Sequence, residues 1–374
     1  MKKIMITLLI IISVIALTTV IVLRQDKFGK LPTGERLAKI EASPNYKYGK
    51  FQNLSHTPEL TEGFSMWDVL KKSLFTRIEN KKPSQTVPSE KVDLFNLKPE
   101  ENTLVWFGHS SYFLQVDGKK ILIDPVLSGH ASPFSFSIKA FKGADAYAYD
   151  DIPEIDYLFI THDHWDHLDY KSVMALKSKF KKIICPLGIG SHLEYWGFDK
   201  DIIIETDWHD YVMLDEGFVS HTTPARHFSG RGFTRNKTLW ASFVLKTPNT
   251  QLFFGGDSGY DTHFAEIGEK FGSFDLVLLE NGQYDEAWSY IHMHPNEVLK
   301  AATDLKAENL LPGHSGKFDL ANHAWDTPLK KISELYQDQN FNLVTPIIGE
   351  KVAIGDSSLK YTQWWNNDKK VANR

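Results

Sequence analysis

Cysteine is almost absent from this chain. Cys185 is the single cysteine in 374 residues, so no disulfide can form within the chain. A zinc site built from several thiolates is excluded for the same reason, and any metal site would have to use histidine and carboxylate ligands. Cys185 ends an apolar run, where we expect an inert buried thiol.

An excess of positive charge is also missing. Lysine and arginine number 42 against 47 aspartates and glutamates, which gives a formal net charge of −5. A face that binds nucleic acid normally adds a surplus of basic residues, so nucleic acid is not an expected partner. Solenoid repeats and low-complexity tracts are absent too, and no feature of the sequence indicates an oligomeric state. The composition, 42% apolar and 24% charged residues, is that of a globular protein.

A long apolar run stands at the N-terminus. Residues Ile4–Leu23 carry no charge, and at ~1.5 Å per residue a helix of this length spans a hydrocarbon core of about 30 Å. The alternative is a cleaved signal peptide, whose apolar region is usually about 7–15 residues long and ends at a small-residue cleavage site. No such site follows Ala16, so we expect residues 1–24 to form a single-pass membrane anchor. Lys2 and Lys3 favour a cytoplasmic N-terminus, which would put the remaining chain on the external face.

Residues 25–100 form a polar lead-in that contains several prolines. Within it, apolar side chains recur at helical spacing, at Phe64, Trp67, Leu70, Leu74, Phe75 and Ile78. We expect this face to pack on the main domain, because a core face is the commoner use of such a pattern. The alternative is a helix that lies in the membrane interface beside the anchor.

The sequence pattern changes at residue 101. Short β-rich runs come first, at Thr103–Phe107, Tyr112–Val116 and Lys119–Ile123, and Asp117-Gly118 between the last two predicts a hairpin turn. From Tyr157 onwards, predicted strands such as Gln251–Phe254 and Leu276–Glu280 alternate with predicted helices, the first of them over residues 170–180. Hairpins followed by alternation indicate an α/β sandwich over residues 101–374, with sheets inside and helices outside.

The densest cluster of metal-binding side chains is His-Asp-His-Trp-Asp-His at residues 162–167, directly after a predicted strand. His162 and His164 point to one side if the segment is extended, whereas Asp166 and His167 can face a second position nearby. Imidazole and carboxylate together suit Zn²⁺, and also Mn²⁺ or Fe. A solvated loop with accidental histidines is disfavoured, because these groups would repel one another and lose solvation unless a metal bound them.

This H-x-H-x-D-H pattern resembles the signature of the metallo-β-lactamase superfamily. Later segments resemble the other metal-binding positions of that family: Pro224–Ser229 with His227, Phe254–Tyr260 with Asp257, and Leu311–His314. Further stretches are similar to the branch that contains N-acyl-phosphatidylethanolamine-hydrolysing phospholipase D, namely Trp106–Ser111, Ile123–Val126, Ala131–Pro133, His167–Tyr170 and Tyr284–Val298. His294 departs from that branch, in which we expect a small polar residue.

The resemblance implies an αβ/βα four-layer sandwich and a binuclear centre. The first metal would take His162, His164 and His227. The second would take Asp166, His167 and His314. Asp257 would bridge both metals, and Asp166 and Asp257 are the carboxylates expected to serve catalysis. Two cations, most simply Zn²⁺, lower the pKa of a shared water from 15.7 towards about 7 and so provide a bridging hydroxide as nucleophile.

Alternatives stay open for the residues around these ligands. Asp124 can orient a metal-binding histidine or simply start a turn before Pro125. His109 can line the site or make a structural hydrogen bond, and His292 can place substrate or lie in a loop. Other histidines, among them His192, have no partner motif and are expected to be surface or packing residues.

The resemblance also implies a function. We expect a phosphodiesterase of phospholipase D type that acts on N-acyl-phosphatidylethanolamine-like lipids, kept near an insoluble substrate by its membrane anchor. A metal-dependent hydrolase of lactones, esters or amides is the alternative, since the same hydroxide can attack a carbonyl carbon. A non-catalytic metal-binding protein is a further alternative, which the complete ligand set disfavours.

Overall fold

Two seven-stranded sheets lie face to face in the computed structural model of this chain, which describes residues 2–356, 358 and 360–369. The helices are α1 (Lys2–Leu23), α2 (Gly34–Glu41), α3 (Met66–Phe75), α4 (Tyr170–Ala175), α5 (Ile189–Tyr195), α6 (His263–Phe271), α7 (Pro295–Asp304) and α8 (Thr327–Leu335). The strands are β1 (Tyr46–Lys47), β2 (Lys50–Phe51), β3 (Thr103–Trp106), β4 (Tyr112–Val116), β5 (Lys119–Ile123), β6 (Ile155–Phe159), β7 (Phe180–Pro186), β8 (Ile203–Thr206), β9 (Tyr211–Asp215), β10 (Phe218–Thr223), β11 (Ser242–Lys246), β12 (Gln251–Phe254), β13 (Leu276–Glu280), β14 (Asn309–Gly313), β15 (Asn342–Leu343) and β16 (Lys351–Ala353).

Each large sheet is antiparallel at one side and parallel at the other. The first has the order β16-β3-β4-β5-β6-β7-β8, and its pairs are parallel from β5 to β8. The second has the order β15-β14-β13-β12-β11-β10-β9, and its pairs are parallel from β12 to β15. The predicted change from hairpins to alternating strands and helices is therefore present in both sheets.

The alternation of side chains along each strand separates the cores. On β3, Trp106 lies in the core between the sheets, whereas Val105 lies in an outer core. Phe159 of β6 packs edge-on against Phe243 of β11 and Phe254 of β12, with ring centroids 5.2 Å away in both cases. These contacts join the two sheets directly.

The outer cores place helices on both outer faces. One contains side chains of the first sheet together with Val173 of α4 and Leu193 of α5. The other contains side chains of the second sheet together with Phe264 of α6, Val298 of α7 and Ile332 of α8. The layers therefore run helix, sheet, sheet, helix, which confirms the expected four-layer sandwich.

The predicted hairpin turn joins β4 and β5. Asp117 has φ 47° and Gly118 has φ 75°, which is the backbone of a type I′ turn and favours glycine at the second position. Other details differ from expectation. Strand β9 was not predicted, because polar residues flank its sequence and the pattern resembles that of a loop. In the structure it is an edge strand on which Tyr211 and Met213 are exposed. The helix expected over residues 170–180 ends at Ala175, since a 3₁₀ turn leads into strand β7.

Helix α1 stands apart from the sandwich. None of the side chains from Lys2 to Leu23 is buried, and the helix is long and apolar enough to cross a membrane.

The expectation for α3 was wrong. Trp67, Leu74 and Phe75 are 60%, 66% and 81% exposed, so its apolar face does not pack on the domain. The capping box between Ser65 and Asp68 fixes its start, and helical periodicity alone does not specify what covers an apolar face.

Candidate metal centre

Apart from His292, the candidate site residues lie shortly after the end of a strand, and both large sheets contribute. From the first sheet come His109 after β3, Asp124 after β5 and residues 162–167 after β6; from the second come His227 after β10, Asp257 after β12 and His314 after β14. Strands β5 and β6 are in register with Ile123 opposite Phe159, so Asp124 lies beside the start of the 162–167 loop. The strand ends thus form a rigid frame around one region between the sheets.

The backbone is strained at several of these strand ends. His109, Asp124 and His314 have φ values of 54°, 41° and 57°, in the left-handed region that costs non-glycine residues about 1–3 kcal/mol and that recurs at functional sites. Two backbone hydrogen bonds hold this conformation: the His314 amide donates to the His109 carbonyl at 2.9 Å, and the His109 amide donates to the Ser315 carbonyl at 3.0 Å. They tie the end of β3 to the end of β14.

A glycine allows the turn before Asp257 to approach the 162–167 loop. Gly256 has φ 60°, and a Cβ atom there would lie 2.8 Å from the Cβ of Thr161. Any side chain at this position would therefore push Asp257 away from the histidine loop.

One group of imidazoles contains His162, His164 and His227. His162 Nε2 lies 2.9 Å from His164 Nδ1, and His227 Nε2 lies 3.2 Å from the same atom. His227 Nδ1 donates to the carbonyl of Ile291 at 3.0 Å, which fixes the ring tautomer and leaves the Nε2 lone pair on the side of the cluster. These ring nitrogens lie within 4.8 Å of one another, a spacing that allows one metal ion to contact all of them.

A second group contains Asp166, His167 and His314 together with His109, again with ligand atoms within 4.8 Å. Asp257 lies between the two groups. Its Oδ1 is 3.2 Å from His167 Nε2 and 3.1 Å from His314 Nδ1. Its Oδ2 is 3.8 Å from His162 Nε2 and 3.7 Å from His227 Nε2. One carboxylate thus has an oxygen directed to each group.

Asp124 contacts the second group through His167. Its Oδ2 lies 2.8 Å from His167 Nδ1, and its carboxylate accepts hydrogen bonds from the Thr161 amide at 2.9 Å and the Thr161 hydroxyl at 2.5 Å. Of the alternatives for Asp124, this geometry favours the orienting role over a simple turn residue. His109 is placed similarly, since its Nε2 lies 2.8 Å from Asp166 Oδ2.

Glu280 is a site residue that the sequence did not reveal. It ends strand β13 and is 2% exposed. Its Oε2 lies 2.5 Å from Nδ1 of His292, while Oε1 accepts from the Met293 amide at 2.9 Å. A carboxylate that ends an otherwise apolar strand is the signal that could have identified it. The structure therefore brings His292 to the site with a buried partner, while His294 lies at the start of α7.

The pKa values of four proposed histidine ligands are lowered, whereas Asp257 and Asp166 raise the pKa of His167 well above its usual range. Burial and the neighbouring imidazoles hold the pKa values of His162, His227 and His314 well below their usual range, and burial lowers the pKa of His164 to about 4. These rings are neutral at physiological pH, which is the form that binds a cation. Burial raises the pKa of Asp257 to about 6, so a proton competes with a cation at this carboxylate only in mildly acidic solution.

Two buried atoms test whether the residues fit a metal. His167 Nε2 and Asp257 Oδ1 have no hydrogen-bond partner among the described residues, although both are polar and lie in the same cluster. A buried polar atom without a partner costs about 1–3 kcal/mol. A cation bound here would satisfy both atoms, so the donor set fits metal ions and does not resemble an ordinary hydrogen-bonded network.

A cavity of about 530 Å³ opens onto the cluster. Its polar wall includes His164, Asp166, Asp257 and His292, and its apolar wall includes side chains of the lead-in and of the second half of the chain: Leu60, Met66, Val69, Ile291 and Leu320. Helix α3 therefore contributes Met66 and Val69 to the rim of this cavity.

Comparisons with known proteins show the family of this chain. The family model of the beta-lactamase superfamily domain matches residues 119–315. A protein of Mycobacterium tuberculosis is 36% identical over 329 residues, which cover 87% of this chain and 88% of that protein. The chain belongs to the metallo-β-lactamase superfamily. Within this family, other relatives carry hydrolase names, and the chain is a metal-dependent hydrolase.

Two relatives are named as N-acyl-phosphatidylethanolamine-hydrolysing phospholipase D. The Caenorhabditis elegans protein is 27% identical over 301 residues, covering 76% of this chain and 84% of that protein. The Saccharomyces cerevisiae protein is 34% identical over 247 residues, covering 63% of this chain and 52% of that protein. Among solved structures, a metallo hydrolase of Ignicoccus hospitalis has a TM-score of 0.51 and 21% identity, covering 70% of this chain and 99% of that chain; this likeness shows the metallo-β-lactamase fold.

Proposed function

We propose that this chain is a binuclear phosphodiesterase of phospholipase D type that cleaves N-acyl-phosphatidylethanolamine-like lipids at a membrane. The observation that carries the proposal is an apolar path from the metal cluster to the end of the anchor helix. A second cavity, of about 710 Å³, shares His164, Asp166 and Phe228 with the first and is also lined by Val22 and Leu23 of α1. An acyl chain can lie along this path while its headgroup reaches the metals.

The proposed ligand set has one metal on His162, His164 and His227. Asp166, His167 and His314 would hold the other, and Asp257 would serve both. Zn²⁺ is the proposed ion, with Mn²⁺ or Fe as alternatives. Two bound cations would supply Lewis acidity and a water that ionises near neutral pH.

The side chains of the cavity wall would hold the substrate. Arg235 lines both cavities and offers a guanidinium to a phosphodiester anion. Its present partner is the exposed Glu59, 3.4 Å away, which a phosphate can displace at little cost. His292 has Nδ1 held by Glu280, which leaves Nε2 as the nitrogen with which it can bind substrate or move a proton to the departing alcohol.

The anchor gives the proposal its cellular setting. A helix that crosses the bilayer would keep the cavity beside the lipid leaflet, and the basic residues before the span favour a catalytic domain on the external face. The names of the worm and yeast relatives support a phospholipid substrate for this chain.

The test uses the full-length chain in lipid nanodiscs that contain N-acyl-phosphatidylethanolamine. Phosphatidic acid should accumulate, chelation should abolish the reaction, and Zn²⁺ or Mn²⁺ should restore it. Asp257→Ala should lower kcat/KM by at least about 10³-fold, since it removes the carboxylate shared by both groups, whereas Asp150→Ala on the surface should leave it unchanged. Release of free fatty acid without phosphatidic acid would instead favour an ester or amide hydrolase, and full activity in a metal-free preparation would contradict the mechanism.

A further inference from the structure

The segment that follows the anchor is bonded to the catalytic domain beside the metal loop. We call residues 26–30 the tether. The carbonyl of Asp26 accepts from Trp196 Nε1 at 2.7 Å. The carbonyl of Lys27 accepts from Nε and Nη2 of Arg231 at 3.1 and 2.9 Å. The amide of Lys30 donates to Nδ1 of His192 at 3.0 Å. A flexible linker would not make these long-range bonds, so the tether is a structured part of the domain.

The first connection to the metal loop runs through Arg231. This side chain is 4% exposed, and its Nη1 donates to the carbonyls of Asp163 at 2.9 Å and Leu168 at 2.7 Å. Its guanidinium lies 3.9 Å from the ring centre of Trp165, and Phe28 of the tether packs edge-on against the same ring at 5.1 Å. Arg231 therefore joins the tether backbone to both ends of the loop that carries the ligands.

The second connection runs through His192. Because Nδ1 accepts the Lys30 amide, the ring proton lies on Nε2, which donates to Oδ2 of Asp163 at 3.2 Å. The Asp163 carboxylate also accepts from the Gly230 amide at 2.6 Å and the Thr238 hydroxyl at 2.8 Å. This buried acid stands between His162 and His164 in the chain, and the groups that fix it lie outside the set of proposed ligands.

We propose that the tether is a positioning segment of the metal centre. Its contacts end on Asp163 and Trp165, which lie between proposed ligands of residues 162–167, and on Leu168, which follows the last of them. Metal ligands must be held to within about 0.5 Å by the groups behind them. The tether and Arg231 provide that support for the outer side of the loop, so the membrane-proximal segment contributes to metal affinity as well as to attachment. This inference rests on the proposed metal centre.

Two glycines of the lead-in provide a matched test. Gly29 has φ 72°, and a Cβ atom there would lie 2.1 Å from Nδ1 of His192; Gly34 has φ 60°, and a Cβ atom there would meet nothing within 4 Å. Both positions have positive φ, so alanine is disfavoured at each, but only Gly29→Ala pushes the tether away from His192. In the full chain in nanodiscs, loaded with zinc, the measurement is the rate of zinc transfer to a chromophoric chelator.

We expect Gly29→Ala to release zinc at least about ten-fold faster than wild type, the scale found for groups that support ligands, and Gly34→Ala to stay within about two-fold. Equal rates for the two variants would overturn the inference and leave the metal centre intact. If Gly29→Ala does not fold by circular dichroism, Phe28→Ala decides, with the 78% exposed Phe136→Ala as its control; equal zinc release would again overturn the inference. A wild-type chain that holds no zinc would refute the proposed centre itself, and this inference with it.

Discussion

Replacing Asp124 with asparagine should weaken metal binding without removing a proposed ligand. Asp124 is 1% exposed and accepts hydrogen bonds from the amide and hydroxyl of Thr161. Its Oδ2 also lies 2.8 Å from Nδ1 of His167, which keeps the ring proton on Nδ1. Nε2 then presents its lone pair towards Asp257, whose Oδ1 is 3.2 Å away. The carboxylate thus selects the tautomer of His167 that can bind a metal.

The magnitude follows from the geometry of the substitution. An asparagine oxygen can still accept from the Thr161 amide, but its amide group would face the Thr161 hydroxyl and Nδ1 of His167, both of which need an acceptor in the present arrangement. The His167 proton would then move to Nε2, where it blocks metal coordination. Loss of a group that orients a ligand typically costs 10–100-fold in metal affinity, or about 1.4–2.8 kcal/mol. We expect Asp124→Asn to weaken zinc binding at the site that contains His167 by this factor.

The assay is competition for zinc between the purified full chain and a chromophoric chelator, with circular dichroism to confirm folding. Asp117→Asn is the matched control, since Asp117 also has positive φ, 47° against 41° for Asp124, but bonds Asn249 and Thr247 in a turn away from the metal loop. If Asp124→Asn held zinc within about three-fold of the control, the orienting role of this carboxylate would be wrong and Asp124 would be a turn residue.

Two further predictions concern stability. Burial lowers the pKa of His263 from 6.5 to about 4, so the folded state favours the neutral ring: this contribution is complete above about pH 6.5 and is lost as the pH falls towards 4, by up to about 3 kcal/mol. Between pH 7 and pH 4.5, urea unfolding should therefore show that His263→Gln loses less free energy of unfolding than wild type. Equal losses would contradict the lowered pKa of His263. Lys317 is 1% exposed, donates to the Val126 carbonyl at 2.9 Å and pairs with Asp145 at 3.0 Å. Lys317→Met should cost about 2 kcal/mol at neutral pH by leaving these groups without a partner, and an unchanged urea midpoint would refute this reasoning.

The layered fold could be predicted from the sequence because its strands are short, apolar and separated by recognisable turns. Strands β4, β5, β12 and β13 begin and end where the pattern placed them. The site could be located for a related reason: most candidate segments lie shortly after a strand, and strand ends meet along the edge of a sheet. What joined His227, Asp257 and His314 into one set was the resemblance to a family, since nothing in their spacing requires them to converge.

Tertiary contacts that cross the chain could not be predicted in this way. Glu280 reads as the last residue of an apolar strand, and only the fold places its carboxylate against His292. His192 reads as a packing residue, and it is buried, but its role depends on a backbone amide 162 residues away. The apolar pattern of α3 predicted the helix correctly and its surroundings wrongly. Periodicity shows which side of a helix is apolar, but not whether that side contacts protein or solvent.

The contacts of the residues between the proposed ligands in the 162–167 loop also could not be predicted from the sequence. A pattern written H-x-H-x-D-H treats Asp163 and Trp165 as free positions. In this chain both side chains make specific contacts. Asp163 accepts hydrogen bonds from His192, Gly230 and Thr238, and Trp165 stacks against the guanidinium of Arg231. The loop closes in a turn, in which the amides of His167 and Leu168 donate to the His164 carbonyl. In this arrangement Asp163 and Trp165 contact the groups that support the loop. Here that support includes residues 26–30, which follow helix α1, so contacts with these residues constrain the side chains at the intervening positions.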